Sequence, residues 1–157
     1  MNGARSVGVN VRGAPAPRRR RAGYEGVAAG SRPVRGGTRR CRVAGREMTV
    51  TIAGRDGVSV VVKIVGEIDV HTVKELRTIL LGLVDRGCTH VVADFTGVRF
   101  CDATGLGTLV AVNNRLREQG GALRLTGVSA AQRRILRITH LDRLFRPYDT
   151  VEDALAV

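Results

Sequence analysis

The chain has 157 residues, is 43% apolar and only 3% aromatic, and carries a formal net charge of +12. That length suits one ordinary domain with a buried core and excludes two large ones. The charge is unevenly placed. Residues 1–47 hold twelve Arg, no Lys and only Glu25 and Glu47, a net +10, whereas residues 48–157 hold 14 basic and 12 acidic residues, a net +2. The high pI thus belongs to the N-terminal part, and the charge of the body excludes an argument for nucleic-acid binding by the domain itself.

In chain order, residues 1–47 are rich in Arg, Gly, Ala and Pro, as in "APAPRRRRAG" and "SRPVRGGTRR", with neither a 2- nor a 3.6-residue period. Such a segment buries too little apolar surface to offset its backbone entropy and is expected to be unstructured. Two readings are open. A basic tail could bind RNA, DNA or an acidic surface, although Tyr24 alone provides no stacking platform. Alternatively the sequence changes character at "REMTVTI", and Met48 is the natural start of a domain spanning 48–157.

From there the elements alternate. Residues 48–54 and 58–66 read as strands joined by the turn Gly54–Gly57. "GEIDVHT" follows as a loop. Thr72 and Glu75 form a T-x-x-E capping box opening a helix whose stripe is Val73, Leu76, Ile79, Leu80, Leu83 and Val84, ended by Gly87. Residues 89–95 read as a buried strand and "TGVRFC" as a loop. Asp102 is a suitable N-cap for a second helix reaching about Glu118; Leu106, Leu109, Val110, Asn113 and Leu116 lie on or beside one face, and Gly120 and Gly121 end it. Residues 122–127 form a strand, Ser129 starts a third helix, 144–149 form a short edge strand, and Thr150 caps a final helix. The order β β α β α β α β α predicts an α/β fold: a mixed, mostly parallel sheet with helices packed on it.

No motif of catalysis is present. His71, His90 and His140 have no Ser, Cys or carboxylate at a recognised spacing, and G-x-S-x-G, H-E-x-x-H and the P-loop pattern are missing. "GLGTLV" fails the dinucleotide pattern because Val110 stands at its third glycine position. The three cysteines, Cys41, Cys88 and Cys101, show no CxxC or CxxH spacing and, being odd and few, fit a reducing cytoplasmic compartment. No run approaches the roughly 20 apolar residues of a membrane span, and the Arg-rich start lacks the apolar core of a secretory signal. No enzyme activity, cofactor or metal is expected. Glu67 and Asp69 could pair as catalytic carboxylates, Cys101 could report redox state, and Arg133, Arg134 and Arg137 could form a basic patch. A loop contact, a half-buried small residue and a solvated helix face are the respective structural readings.

The stretch "DATGLG", Asp102–Gly107, admits three readings: a capped helix start, an anion site at a helix N-terminus, which Asp102 would repel, or a regulatory hydroxyl at Thr104, where a phosphate would add about −1.5 to −2 charge. Three longer pieces then carry a resemblance. "VVKIVGEIDVHTVKELRTIL", "VVADFTGVRFCDATGLGTLV" and "GGALRLTGVSAAQRRILRITHLDRLF", in this order over about residues 49–157, resemble the STAS domain of bacterial anti-sigma factor antagonists. The resemblance implies a STAS fold and a protein that frees a sigma factor by binding its anti-sigma factor, a serine/threonine kinase of the GHKL ATPase fold. It further implies phosphorylation on a serine after the Asp, reversed by a metal-dependent serine/threonine phosphatase. Here that position is Ala103, which has no hydroxyl, so Thr104 accepts the phosphate instead or the switch is missing. The implied partner-binding surface is Glu67, Asp69, His71, Asp102, Ala103, Thr104, Gly105 and Leu106. A second reading within the resemblance is a STAS subunit gripping the ATPase of a membrane lipid or anion transport complex.

Overall fold

The structure, a computed structural model, describes residues 37–43 and 46–157. Its elements are β1 (Thr38–Val43), β2 (Arg46–Asp56), β3 (Ser59–Ile68), α1 (Val73–Asp85), β4 (His90–Cys101), α2 (Ala103–Glu118), β5 (Ala122–Thr126), α3 (Ala130–Ile138), α4 (Asp142–Phe145) and α5 (Val151–Leu155). One sheet is formed in the order β1-β2-β3-β4-β5. Its first two ladders are antiparallel, and β3–β4 and β4–β5 are parallel. The mixed sheet expected from the alternation is therefore present. A two-residue turn through Gly57, at φ +55, joins β2 to β3, while the parallel strands need helical crossovers.

Side-chain alternation along β3 explains why both faces are covered. Val60, Val62 and Ile64 point into the main core, where they meet Leu76, Leu80 and Leu83 of α1 and Leu109, Val112 and Leu116 of α2. Val61 and Val92 point to the other face and meet Ala154 of α5. A central strand buried on both sides reads as a continuous apolar run, which is how "VVV" and "VVADF" appear.

Several expectations are corrected. The run 144–149 is not a strand: Leu144 and Phe145 belong to α4, and the chain touches the sheet by a single parallel bridge between Thr126 and Tyr148. Phe145 turns into the main core, 1% exposed, and that burial wins over an extended edge. The strands also run further than predicted, β3 through Ile68 and β4 through Cys101, because each completes pairing with the other before leaving the sheet. The Thr72–Glu75 capping box does not form; Thr72 has helical dihedrals and its hydroxyl donates to the Glu67 carbonyl at 2.8 Å. Thr38–Val43, expected to be unstructured, pairs antiparallel with β2 as β1, whose partner edge would otherwise lie open. Arg46 and Glu47, in the same expectation, begin β2, and residues 1–36 and 44–45 lie outside the described residues.

Asn113, a polar residue on the buried stripe of α2, is explained by the sheet edge. Ala122 donates to the carbonyl of Thr89, just before β4, so Leu123, next along β5, turns its N–H away from β4. Asn113 Oδ1 accepts that N–H at 2.9 Å, and the Leu125 carbonyl accepts from Tyr148 N at 2.8 Å. Asn113 is 1% exposed, so its removal strands a buried amide. Asn113→Ala is expected to cost about 1–3 kcal/mol of stability, read as a lower urea midpoint with an unchanged m-value.

Candidate functional site

The parallel β3–β4 ladder ends with Glu67 opposite Phe100 and Ile68 opposite Cys101. The loop 69–72 and the turn from Asp102 into the start of α2 therefore leave the same edge of the sheet side by side. This is the carboxyl end of parallel strands, where open α/β sheets place their functional loops. Asp102 N donates to the Ile68 carbonyl at 3.1 Å and joins the two exits.

An aspartate organises each loop. Asp69 Oδ1 accepts from His71 N at 2.9 Å and Thr72 N at 3.2 Å, and the Asp69 carbonyl accepts from Val73 N at 2.8 Å, so this residue starts α1 in place of the predicted box. Thr72 Oγ1 also accepts from Asp69 N at 3.0 Å. Asp102 is the N-cap of α2, with extended backbone; its carboxylate accepts from Gly105 N at 2.9 Å and from Thr104 Oγ1 at 2.5 Å. Burial pushes the Asp102 carboxyl up. The Thr104 hydroxyl and the backbone N–H groups of Gly105, Thr104 and Val70 outweigh that and hold it below the ordinary value.

The eight residues expected to bind a partner divide by this geometry. His71, Ala103 and Thr104 are exposed, and Glu67 and Asp102 are half-buried. Asp69 is 4% exposed, and its carboxylate is occupied within its own loop. Gly105 is buried: a Cβ there would lie 2.7 Å from Ile68 Cγ2 and 2.8 Å from Cys101 Sγ. Leu106 is half-buried and packs against the main core. Asp69, Gly105 and Leu106 thus shape the surface from beneath. Two apolar residues flank it: Val70, 63% exposed and within the expected Glu67–His71 stretch, and Phe100, 49% exposed, which sequence reasoning passed over. Their signal was available, as apolar residues outside any helical or strand stripe. Together with His71, Ala103 and Thr104 they leave apolar groups beside an imidazole and a hydroxyl exposed at this edge.

Nothing at this edge favours other chemistry. Burial, reinforced by the Asp102 charge, pushes the Cys101 thiol up to about 12, so it is a thiol and not a nucleophile at neutral pH. His90 lies at the far, N-terminal end of β4. Among the described residues no three His, Cys, Asp or Glu side chains gather as a metal site would require.

Asp102→Ala is expected to lose about 0.5–2 kcal/mol. Because the folded carboxyl titrates lower than the unfolded one, its contribution is present above pH ~4 and lost as the pH falls through the folded value. Thermal melts should therefore show wild type and Asp102→Ala converging below that pH. Gly105→Ala is expected to cost about 1–3 kcal/mol, since the buried Ile68 must shift. Gly107→Ala, with nothing within 4 Å of the added carbon, should gain up to about 1 kcal/mol in the same melts.

Comparison with known proteins agrees with this geometry. The family model described as STAS domain matches residues 49–154. The anti-sigma-B factor antagonist of Staphylococcus epidermidis is 34% identical over 91 residues, covering 58% of this chain and 84% of the relative. The crystal structure of an anti-sigma factor antagonist from Mycobacterium paratuberculosis superposes with a TM-score of 0.63 at 31% identity, covering 69% of this chain and 92% of that one. The anti-sigma factor antagonist SpoIIAA in its unphosphorylated form shares the fold, with a TM-score of 0.58 at 23% identity over 69% of this chain and 92% of its own. With the family pattern spanning β3, β4, β5 and every helix that carries the site, this chain belongs to the STAS-domain family, and the relatives named above are anti-sigma factor antagonists.

Proposed function

We propose that the chain is itself an anti-sigma factor antagonist, acting in the cytoplasm: it binds an anti-sigma factor and so releases the sigma factor that partner holds. The observation that carries this reading is the exposed Ala103–Thr104 turn, set among Val70, His71 and Phe100 on a STAS scaffold. The partner is a GHKL-type serine/threonine kinase, and a metal-dependent serine/threonine phosphatase is its counterpart in relatives that are phosphorylated. The working unit is the domain 48–157, in keeping with the family match at 49–154; residues 1–47 are not required for binding.

Ala103 stands where the resemblance places the phosphoacceptor, and Thr104 is a poor substitute. Its hydroxyl donates to the Asp102 carboxylate, and a phosphate there would set about −1.5 to −2 charge against that carboxylate. One residue also rotates the acceptor about 100° around α2. We infer that the protein is held in its binding-competent form and is controlled by abundance or by another signal.

The full chain, used as bait in a lysate of its source with and without Mg-ATP, should capture a GHKL-fold protein in both conditions, with no phosphate on Thr104 by mass spectrometry. Capture lost with ATP together with phosphothreonine would refute the constitutive reading. Phe100→Ser and Val70→Ser are each expected to weaken capture about tenfold, and unchanged capture by both would mean the contact surface lies elsewhere. Ala103→Ser should introduce ATP-dependent phosphoserine and release.

A further inference from the structure

Between α2 and α3 the main core reaches the surface in a shallow apolar cleft. Phe95, Leu125 and Leu136 form its floor, with Leu106 and Ile135 towards its mouth. The polar side chain on its wall, Gln132, is committed elsewhere: Nε2 donates to the Val98 carbonyl at 3.0 Å and Oε1 accepts from Ser129 N at 2.9 Å. The cleft therefore accepts an apolar group and penalises a polar one.

The surface of α3 extends this lining. Ile135 and Ile138, three residues apart and neighbours on the helix, are 42% and 67% exposed. The same helix carries Arg134 and Arg137, both exposed and, among the described residues, in no ion pair, whereas Arg133 is held by Asp149 at 2.8 Å. At 100° per residue Arg134 lies about 40° from Ile138, on the side away from Ile135 and the cleft. An apolar cleft, an apolar stripe and a cationic border thus follow one another across the helix.

We propose that the α2–α3 cleft and the exposed face of α3 dock an acidic amphipathic helix of a partner protein. Apolar side chains one turn apart on that helix enter the cleft and cover Ile138, and its carboxylates meet Arg134 and Arg137. The charge complementarity selects an acidic partner, and the concavity selects protruding side chains over a flat bilayer. The sequence of α3, "AAQRRILRI", also lacks the aromatic anchors of membrane-surface helices. The site shares only Leu106 with the Ala103–Thr104 surface and stands independently of the proposed antagonist function.

The test is fluorescence anisotropy of a labelled Leu/Ala/Glu helical peptide, with Leu at i, i+4 and i+7, titrated with the full chain. A Lys-for-Glu counterpart and phosphatidylglycerol vesicles serve as alternative ligands. The acidic peptide is expected to bind and the Lys peptide not to. Ile138→Ser should weaken binding about tenfold, and the Arg134→Glu/Arg137→Glu pair should abolish it and remove its salt dependence. These residues are exposed, so the variants should melt as wild type does. Failure of the acidic peptide to bind, equal binding of both peptides, indifference to Ile138→Ser, or preferential binding to the vesicles would each overturn the proposal.

Discussion

The structure depends on the parallel pairing of β3 with β4. That ladder buries Val60, Val62 and Ile64 with Val91 and Ala93 on the main-core face, and it runs to the ends of both strands. Because it ends with Ile68 beside Cys101, two loops more than thirty residues apart in sequence emerge as neighbours. Were the two strands to slip by one residue, every side chain would change face, so the buried pattern that stabilises the sheet also sets the spacing of the loops. The site inherits its geometry from the core.

The second constraint is the use made of carboxylates. Asp69 and Asp102 each accept backbone N–H groups of a helix start, and the Asp102 N–H donates to the Ile68 carbonyl, joining the two turns. Asp69, which with Glu67 looks like an acid pair in the sequence, is therefore spent, as Asp102 is, on holding a turn. The chemistry left at the surface is sparse: a methyl group at Ala103, a hydroxyl at Thr104 already bonded to its own cap, and apolar flanks at Val70 and Phe100. A pre-organised surface of this kind binds without a large ordering cost, which is the property required of a protein that works by occupying a partner.

Glycine shows the same division between surface and support. Gly105 belongs to the most recognisable motif in the chain, yet its backbone lies against Ile68 and Cys101 with no room for a side chain. Gly66, at φ +109, likewise brings β3 so close to β2 that an added carbon would collide with the Glu47 carbonyl. At Gly66 the missing side chain lets backbone approach backbone and at Gly105 it makes room for the Ile68 and Cys101 side chains, and what reaches the surface is the residue beside the glycine.

Read alone, the sequence determined the alternation of strands and helices, the buried stripes of α1 and α2, and the caps at Asp102, Ser129 and Thr150, because each of these follows from local periodicity or from a side chain bonding its own backbone. It also determined the substitution at Ala103, which is a matter of residue identity. Tertiary structure decided the rest. Thr72 and Glu75 satisfy a local capping pattern, but the Glu67 carbonyl competes for the threonine hydroxyl. Residues 144–149 suit an edge strand until Phe145 finds the core. Which residues of "GEIDVHT" and "DATGLG" face outward depends on how β3, β4 and α2 pack against one another. Burial is a property of contacts between distant segments, and a one-dimensional pattern carries no record of which segments meet.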